Sequence, residues 1–173
     1  SHQKKGLKIR TSQNPEDISL LTYLLQNIGD KNHFNPQSES HLKNQLKSGF
    51  ATLYTAEYDN EPLAVSLVYD DSETRFYAHA ATSEKERKLA AGTVLLVQMI
   101  LDAKNRGAKT FDFWGITTSD NKNHPWYGFT QYKKSFGGYQ VNYAGTWDYP
   151  LDHPKYALYT ILRKLNRLKR KIS

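Results

Sequence analysis

Apolar positions recur along the chain in two rhythms, and the places where one gives way to the other mark out its elements. Residues 7–11 alternate as a short strand. Asn14-Pro15-Glu16-Asp17 then opens a helix: Asn or Ser serves as the cap, Pro suits the first turn, and the acids complement the helix dipole. Ile18, Leu21, Leu24, Leu25 and Ile28 keep helical spacing up to Gly29, where the run is expected to end. A second helix is predicted over residues 38–46, stopping near Gly49. Residues 50–58, 63–69 and 74–81 read as strands. The short polar turns Asp59-Asn60-Glu61 and Asp70-Asp71-Ser72-Glu73 join them, which predicts three consecutive antiparallel strands.

After Ala81 the period changes. Ala91, Val94, Leu95, Met99, Ile100 and Ala103 share one helical face, with Gly107 as the stop. Residues 110–114 read as a buried strand closing at Gly115. A polar loop over 120–125, a short helix over 126–136 and one or two strands over 140–149 follow. Leu158, Ile161, Leu165, Leu168 and Ile172 form the apolar stripe of a final amphipathic helix with a basic opposite face. This succession predicts an α+β fold with helices over a mixed, mostly antiparallel sheet.

Composition narrows the picture. A length of 173 residues suits one domain with a real core and leaves no room for a second of similar size. Twelve tyrosines suit a wet, polar cleft. The absence of cysteine excludes disulfides, thiol nucleophiles and cysteine metal sites, and fits a reducing compartment. The apolar runs are too short to span a bilayer and no signal peptide is read, so a soluble, cytoplasmic protein is expected. Ser1-His2 has the look of a tag remnant, and residues 1–6 are read as remnant or linker. The domain proper is expected over 7–152, with 153–173 as a basic helix packed on it. Seven bases and no acid follow Asp152. Taking those seven from the 24 bases leaves 17, equal to the 17 acids, so the whole net charge of +7 belongs to the tail.

Most active-site signatures are missing. The chain has no Gly-x-Ser-x-Gly elbow, no phosphate loop and no His-Glu-x-x-His, and its six histidines are scattered, so no metal is expected. What remains is concentrated in residues 109–149. An aspartate inside a strand, Asp112, and paired lysines before Gly137-Gly138 are expensive choices for a plain core. Taken locally they also fit a structural role, with Asp112 satisfying backbone donors, Lys133 and Lys134 on a solvated face, and the glycines capping a helix.

Three segments in this order resemble the FemABX family of aminoacyl-tRNA-dependent transferases: Phe111-Asp112-Phe113-Trp114-Gly115-Ile116, Tyr132-Lys133-Lys134-Ser135-Phe136-Gly137 and Gly145-Thr146-Trp147-Asp148. A looser match extends upstream through residues 75–83 and 103–107. The resemblance implies a GNAT-like (acyl-CoA N-acyltransferase) fold. It also implies transfer of an amino acid from aminoacyl-tRNA to the stem-peptide amine of a peptidoglycan precursor, nucleotide- or lipid-linked. Such aminolysis of an ester needs position, an unprotonated amine and oxyanion stabilisation rather than a protein nucleophile, and no cofactor. By the resemblance Lys133 is the cation that meets the developing charge, and Tyr132 stands where the family has Phe. Phe136 and Gly137 complete that segment at the substrate.

Tyr77 and His79, two apart on a strand, share a face in this reading and are candidates to line the cleft and take the amine's proton. Asp112 either orients the attacking ammonium or is structural. Lys31 and His33 lie in a turn where relatives carry bases for the acceptor's phosphates. Lys134 and the tail residues Arg163, Lys164, Arg167 and Arg170 are candidate tRNA phosphate contacts. The same tail also suits an anionic membrane surface, which would place the protein at the inner face of the membrane. Because the family's enzymes carry two GNAT-like domains and one fits this length, a missing first domain is a further expected partner.

Two rivals stand. An acetyl-CoA-dependent GNAT enzyme needs a glycine-rich turn at a helix start, which Arg87-Lys88-Leu89-Ala90-Ala91-Gly92 half matches, with Ala90 in the place of the first glycine. A non-catalytic tRNA-binding module of a larger protein is the other.

Overall fold

The computed structural model describes residues 6–32 and 37–172, and the side chains of 6–27 and 37–166. His33 and the side chains of Lys31, Arg167 and Arg170 therefore lie outside the described residues. The chain divides into two compact units, Ser1–Phe136 and Gly137–Ser173.

The first unit is built on five strands in the order β1 to β5: β1 (Lys8–Ser12), β2 (Ala51–Tyr58), β3 (Glu61–Asp70), β4 (Thr74–Thr82) and β5 (Thr110–Asp112). The first four pair antiparallel and β5 joins β4 in parallel. The predicted meander forms because its turns have the right chemistry. Asp59 and Asn60 both take left-handed backbone angles (φ 51° and 61°), the arrangement that matches strand twist in a two-residue hairpin.

Helices cover both sheet faces. α1 (Ile18–Asn32) and α2 (Glu39–Lys47) lie on one, where Ile18, Leu21, Leu42 and Leu46 meet Leu53, Val65 and Leu67. α3 (Ala91–Asn105) lies on the other, where Leu95, Leu96 and Met99 meet Tyr54, Ala56, Ala64 and Val68. With both faces buried, β2 and β3 read as nearly continuous apolar runs. α1 continues through Gly29 to Asn32 instead of ending there. A glycine weakens a helix by about 1 kcal/mol without by itself stopping it.

One polar network ties the two ends of this unit's second layer. Arg75, 4% exposed, donates to both carboxylate oxygens of Asp70 at 2.7 and 2.8 Å, to the Tyr54 hydroxyl at 2.7 Å and to the Met99 carbonyl at 3.3 Å. Tyr54 donates in turn to Asp102 at 3.0 Å. Arg106, just past α3, pairs with Asp70 at 2.8 Å and holds the carbonyls of Asp71 and Thr74. The end of α3 is thereby pinned to the β3–β4 turn.

In the second unit residues 140–149 form no strand, in contrast to the sequence expectation. A strand needs a partner ladder for its backbone groups, and this unit offers none. Local contacts hold the segment instead: Trp147 Nε1 donates to the Ala144 carbonyl at 3.2 Å, and Tyr156 donates to Asp148 at 2.7 Å. α5 (His153–Ile172) begins at Asp152, whose carboxylate accepts the Lys155 N–H at 3.0 Å. Its stripe Leu158, Ile161, Leu162 and Leu165 finds no cover within its own unit.

Candidate active site

β4 and β5 stay together for only three residues, Thr74–Phe76 against Thr110–Asp112, so from Tyr77 onward β4 is open on that side. The expected five-residue β5 is cut short by its own aspartate. Asp112 Oδ1 accepts the Trp114 N–H at 2.6 Å, and Trp114 takes a left-handed backbone (φ 66°). An aspartate bonding two residues ahead imitates a turn, and a bulky residue in that conformation is strained. Asp112 thus does hold a backbone donor.

The next helix, α4 (Tyr127–Lys134), brings the paired residues Tyr132 and Lys133 to the open edge. Tyr132 packs edge-on to Phe136 (5.2 Å between centroids), Phe136 meets Phe113, and Phe113 meets Phe111 and Tyr77, forming one aromatic layer beside α3. Gly137 and Gly138, which follow Phe136, are both left-handed (φ 81° and 88°), a conformation that a residue with a Cβ adopts only at a cost.

A cavity of about 320 Å³ opens between the end of β4, residues 82–87 and the first turn of α3, with Tyr77 and Tyr132 in its wall. The N-cap residue of α3, Ala90, offers no side-chain cap, and the first turn, Ala91–Thr93, lines the cavity, so backbone donors without an intrahelical partner lie there. Ala90, in the glycine place of the acetyl-CoA turn, keeps the left-handed angle (φ 51°) that a glycine would favour. Gly92 packs closely for a different reason: a Cβ there would lie 2.7 Å from Thr82 Oγ1, so the Thr82 side chain would have to move.

Burial pushes the Tyr77 phenol well above its ordinary range. The neighbouring Tyr132 adds to this because two phenolates repel, and a bond with Ser66 opposes it. Tyr132 is raised as well, by burial against an opposing bond with Thr93. Both phenols, protonated at neutral pH even at their ordinary value, therefore stay so to higher pH. Lys133 is half-buried. Its ammonium donates to the Gly115 carbonyl at 2.8 Å and stands 5.1 Å over the Phe129 ring. Burial lowers its pKa below the usual lysine value while the charge of Asp112 works to raise it. Tyr132 lines the cavity; the Lys133 ammonium is turned toward Gly115 at the strand end.

The structure thus gathers Tyr77, Asp112, Tyr132, Lys133 and Phe136, and separates His79 from them. A β-bulge interrupts the β3–β4 register between the pairs Val68–Tyr77 and Leu67–His79. One extra residue, Ala78, reverses the alternation. Tyr77 faces the α3 layer, whereas His79 lies on the α2 face, its ring 6.1 Å from that of Tyr69. The shared face expected for the two is therefore corrected.

On that face Tyr69 donates to Gln45 at 2.6 Å, so His79 Nε2 at 3.1 Å donates to Tyr69 and the ring is held in one tautomer. Burial pushes Tyr69 up to about 12. Burial, and then the nearby His41, push His79 below its ordinary value. In the window just under pH 6.5 the unfolded chain then binds more protons than the folded one, so stability falls as pH drops through it. Urea midpoints measured between pH 7.5 and 5 are expected to fall, and His79→Gln to flatten the fall. An unchanged slope in that variant would assign the effect elsewhere.

Lys134 is exposed at the end of α4, and Arg163 and Lys164 are exposed on α5. Thr93, which bonds Tyr132, and the Gly115 carbonyl, which holds Lys133, were not legible as site groups, since each acquires its role through a partner distant in sequence. Among the described residues no cluster of acids and histidines suits a metal ion.

With this geometry in hand, comparison with known proteins is direct. The family model described as FemAB family matches residues 2–164. The chain belongs to the FemAB family. This FemAB chain is 29% identical over 131 residues to a lipid II:glycine glycyltransferase of Staphylococcus epidermidis, covering 75% of this chain and 32% of that protein. The protein of the same name from Staphylococcus aureus is 28% identical over 145 residues, covering 83% and 34%. The chain therefore spans about a third of the length of the curated relatives it matches. The crystal structure of FemX superposes with a TM-score of 0.77 at 18% identity, over 91% of this chain and 56% of that one. An aminoglycoside acetyltransferase from an uncultured soil metagenomic sample gives 0.62 at 14% identity, over 86% and 99%. The fold is thus the GNAT-like α+β fold, a mixed sheet flanked by helices.

Proposed function

We propose that this FemAB chain is the acyl-transferring domain of an enzyme that moves an amino acid from aminoacyl-tRNA to the stem-peptide amine of a peptidoglycan precursor, building the interpeptide bridge. The names of the staphylococcal relatives support the acceptor class. The observation that carries the reading is the half-buried Lys133 ammonium, held by the Gly115 carbonyl beside the charge of Asp112, with Tyr132 next to it on the cavity wall.

In the proposed reaction the neutral amine attacks the ester carbonyl carbon and a C–N bond forms. The carbonyl electrons collect on oxygen, the C–O bond to the ribose breaks, and the amine's proton leaves on the ribose hydroxyl. Lys133 keeps two N–H protons beyond the one given to Gly115, and these meet the oxyanion. In this reading the protonated Tyr132 and Tyr77 phenols donate to ester or acceptor oxygens. Lys134, Arg163 and Lys164 are assigned to tRNA phosphates. A lipid-linked acceptor would put the reaction at the inner membrane face, and among the described residues no helix is long and apolar enough to cross a membrane.

The test is a transfer assay with charged tRNA and a nucleotide-linked or lipid-linked stem pentapeptide, read by mass. The acceptor is expected to gain one aminoacyl residue as the tRNA ester is consumed. The uncapped α3 turn on the cavity favours one second reading, acetyl-CoA as donor. Binding of acetyl-CoA by calorimetry, with no transfer from tRNA, would decide for it. Salt-dependent tRNA binding without any transfer would leave a non-catalytic module.

A further inference from the structure

Residues 117–138 contain no Leu, Ile, Val or Met, yet they carry Trp126, Tyr127, Phe129, Tyr132 and Phe136. From 121 to 138 the charged side chains are Lys122, Lys133 and Lys134, with His124 beside them and no acid. Two of these rings are left half in water: Trp126 is 49% exposed and Phe129 38%. Their centroids are 5.4 Å apart with planes tilted by 46°, and the His124 ring stands 6.3 Å from Trp126.

The patch is pre-organised. The Trp126 N–H donates to His124 Nδ1 at 3.0 Å, the Tyr127 N–H donates to the His124 carbonyl at 2.8 Å, and the Thr130 N–H donates to the Trp126 carbonyl at 3.0 Å. Trp126, Phe129 and Lys133 stand at i, i+3 and i+7, the spacing that aligns side chains on one helix face. The Lys133 ammonium lies over the less exposed of the two rings, Phe129.

We infer that Trp126 and Phe129 form a stacking platform for the unpaired nucleotides at the 3′ end of the RNA donor, leading its ester toward Lys133. This rests on the aminoacyl-tRNA reading above and goes further by assigning the residues that grip the single-stranded end. Flat aromatic faces beside the Lys133 ammonium, with Lys122 and Lys134 in the same segment, are what unpaired bases and their phosphates require. A membrane-seeking patch or a protein-binding core would add aliphatic side chains to its rings, and this segment has none.

The test compares two RNA hairpins of the same stem at one fixed salt concentration. One is blunt and the other carries a few unpaired 3′ nucleotides. The tailed hairpin is expected to bind about tenfold tighter. Trp126→Leu, which keeps apolar area but loses the flat face, should erase that preference while leaving the blunt hairpin's affinity in place. Trp126→Tyr should retain most of it. Should Trp126→Leu fail to fold, Phe129→Leu carries the same expectation. Equal binding of both hairpins by the unaltered protein, or a preference that survives loss of the ring, overturns the platform and leaves the donor reading standing. Absence of binding to either hairpin overturns the donor reading and the platform with it. Loss of binding to anionic vesicles in Trp126→Leu, with RNA binding unmoved, reassigns the patch to a membrane.

Discussion

Transfer by Lys133→Ala is expected to run about 10²- to 10³-fold slower, the usual cost of removing one donor from a developing oxyanion. The loss should appear in kcat more than in KM, since the ammonium does its work on charge that the substrate acquires only in the transition state. The pH profile gives a second readout. Burial lowers the Lys133 pKa, so the protonated form is lost earlier on the alkaline side than for a free lysine, and the rate should decline there. Lys133→Arg keeps the charge to higher pH and should push that decline outward. It should still be slower than the parent, because a planar guanidinium cannot repeat the geometry of an ammonium that also holds the Gly115 carbonyl. Full activity in Lys133→Ala would remove the residue from the mechanism. A loss in kcat with no change in the alkaline limb would reduce it to a packing residue.

Asp70→Ala should cost about 3 kcal/mol of folding stability, although it touches nothing at the candidate site. Arg75 is 4% exposed and depends on Asp70 for two of its hydrogen bonds, so truncation leaves a charge inside the protein with only the Tyr54 hydroxyl and the Met99 carbonyl as partners. Arg106 loses its ion pair in the same step but keeps two carbonyls at the surface. Urea denaturation should show a lower midpoint with an unchanged m-value. Combining Asp70→Ala with Arg75→Met should recover much of the loss, because an apolar pair of similar volume spares both desolvation costs. A single-variant loss under about 1 kcal/mol would mean that water reaches Arg75 and that the network is an ordinary surface ion pair.

The elements that local chemistry specifies were legible before folding is considered. The strand-like runs of β2, β3 and β4, the turn at Asp59-Asn60, and the apolar faces of α1 and α3 each depend on residues near one another, and these elements form. The segments around Asp112 and Lys133 stood out because charge is costly inside a strand and glycine pairs are costly outside a turn. Their proximity follows once β5 and α4 are in place. By itself, then, the sequence determined the succession of elements up to α4, the α+β class and the family.

Tertiary structure decided which of those residues meet. The bulge at Ala78 puts His79 on the far side of the sheet from Tyr77, and no alternation within β4 could reveal it, because an extra residue is defined only against the partner strand β3. The apolar alternation over 140–149 reads like a strand and forms none, since a strand is a relation to a neighbour and not a property of a segment. Burial beside the cavity is what lifts the Tyr77 and Tyr132 phenols above an ordinary tyrosine, and Lys133 loses part of its hydration where Gly115 and Phe129 lie against it. Desolvation depends on what the rest of the chain brings near, and that is settled by packing between residues far apart in sequence.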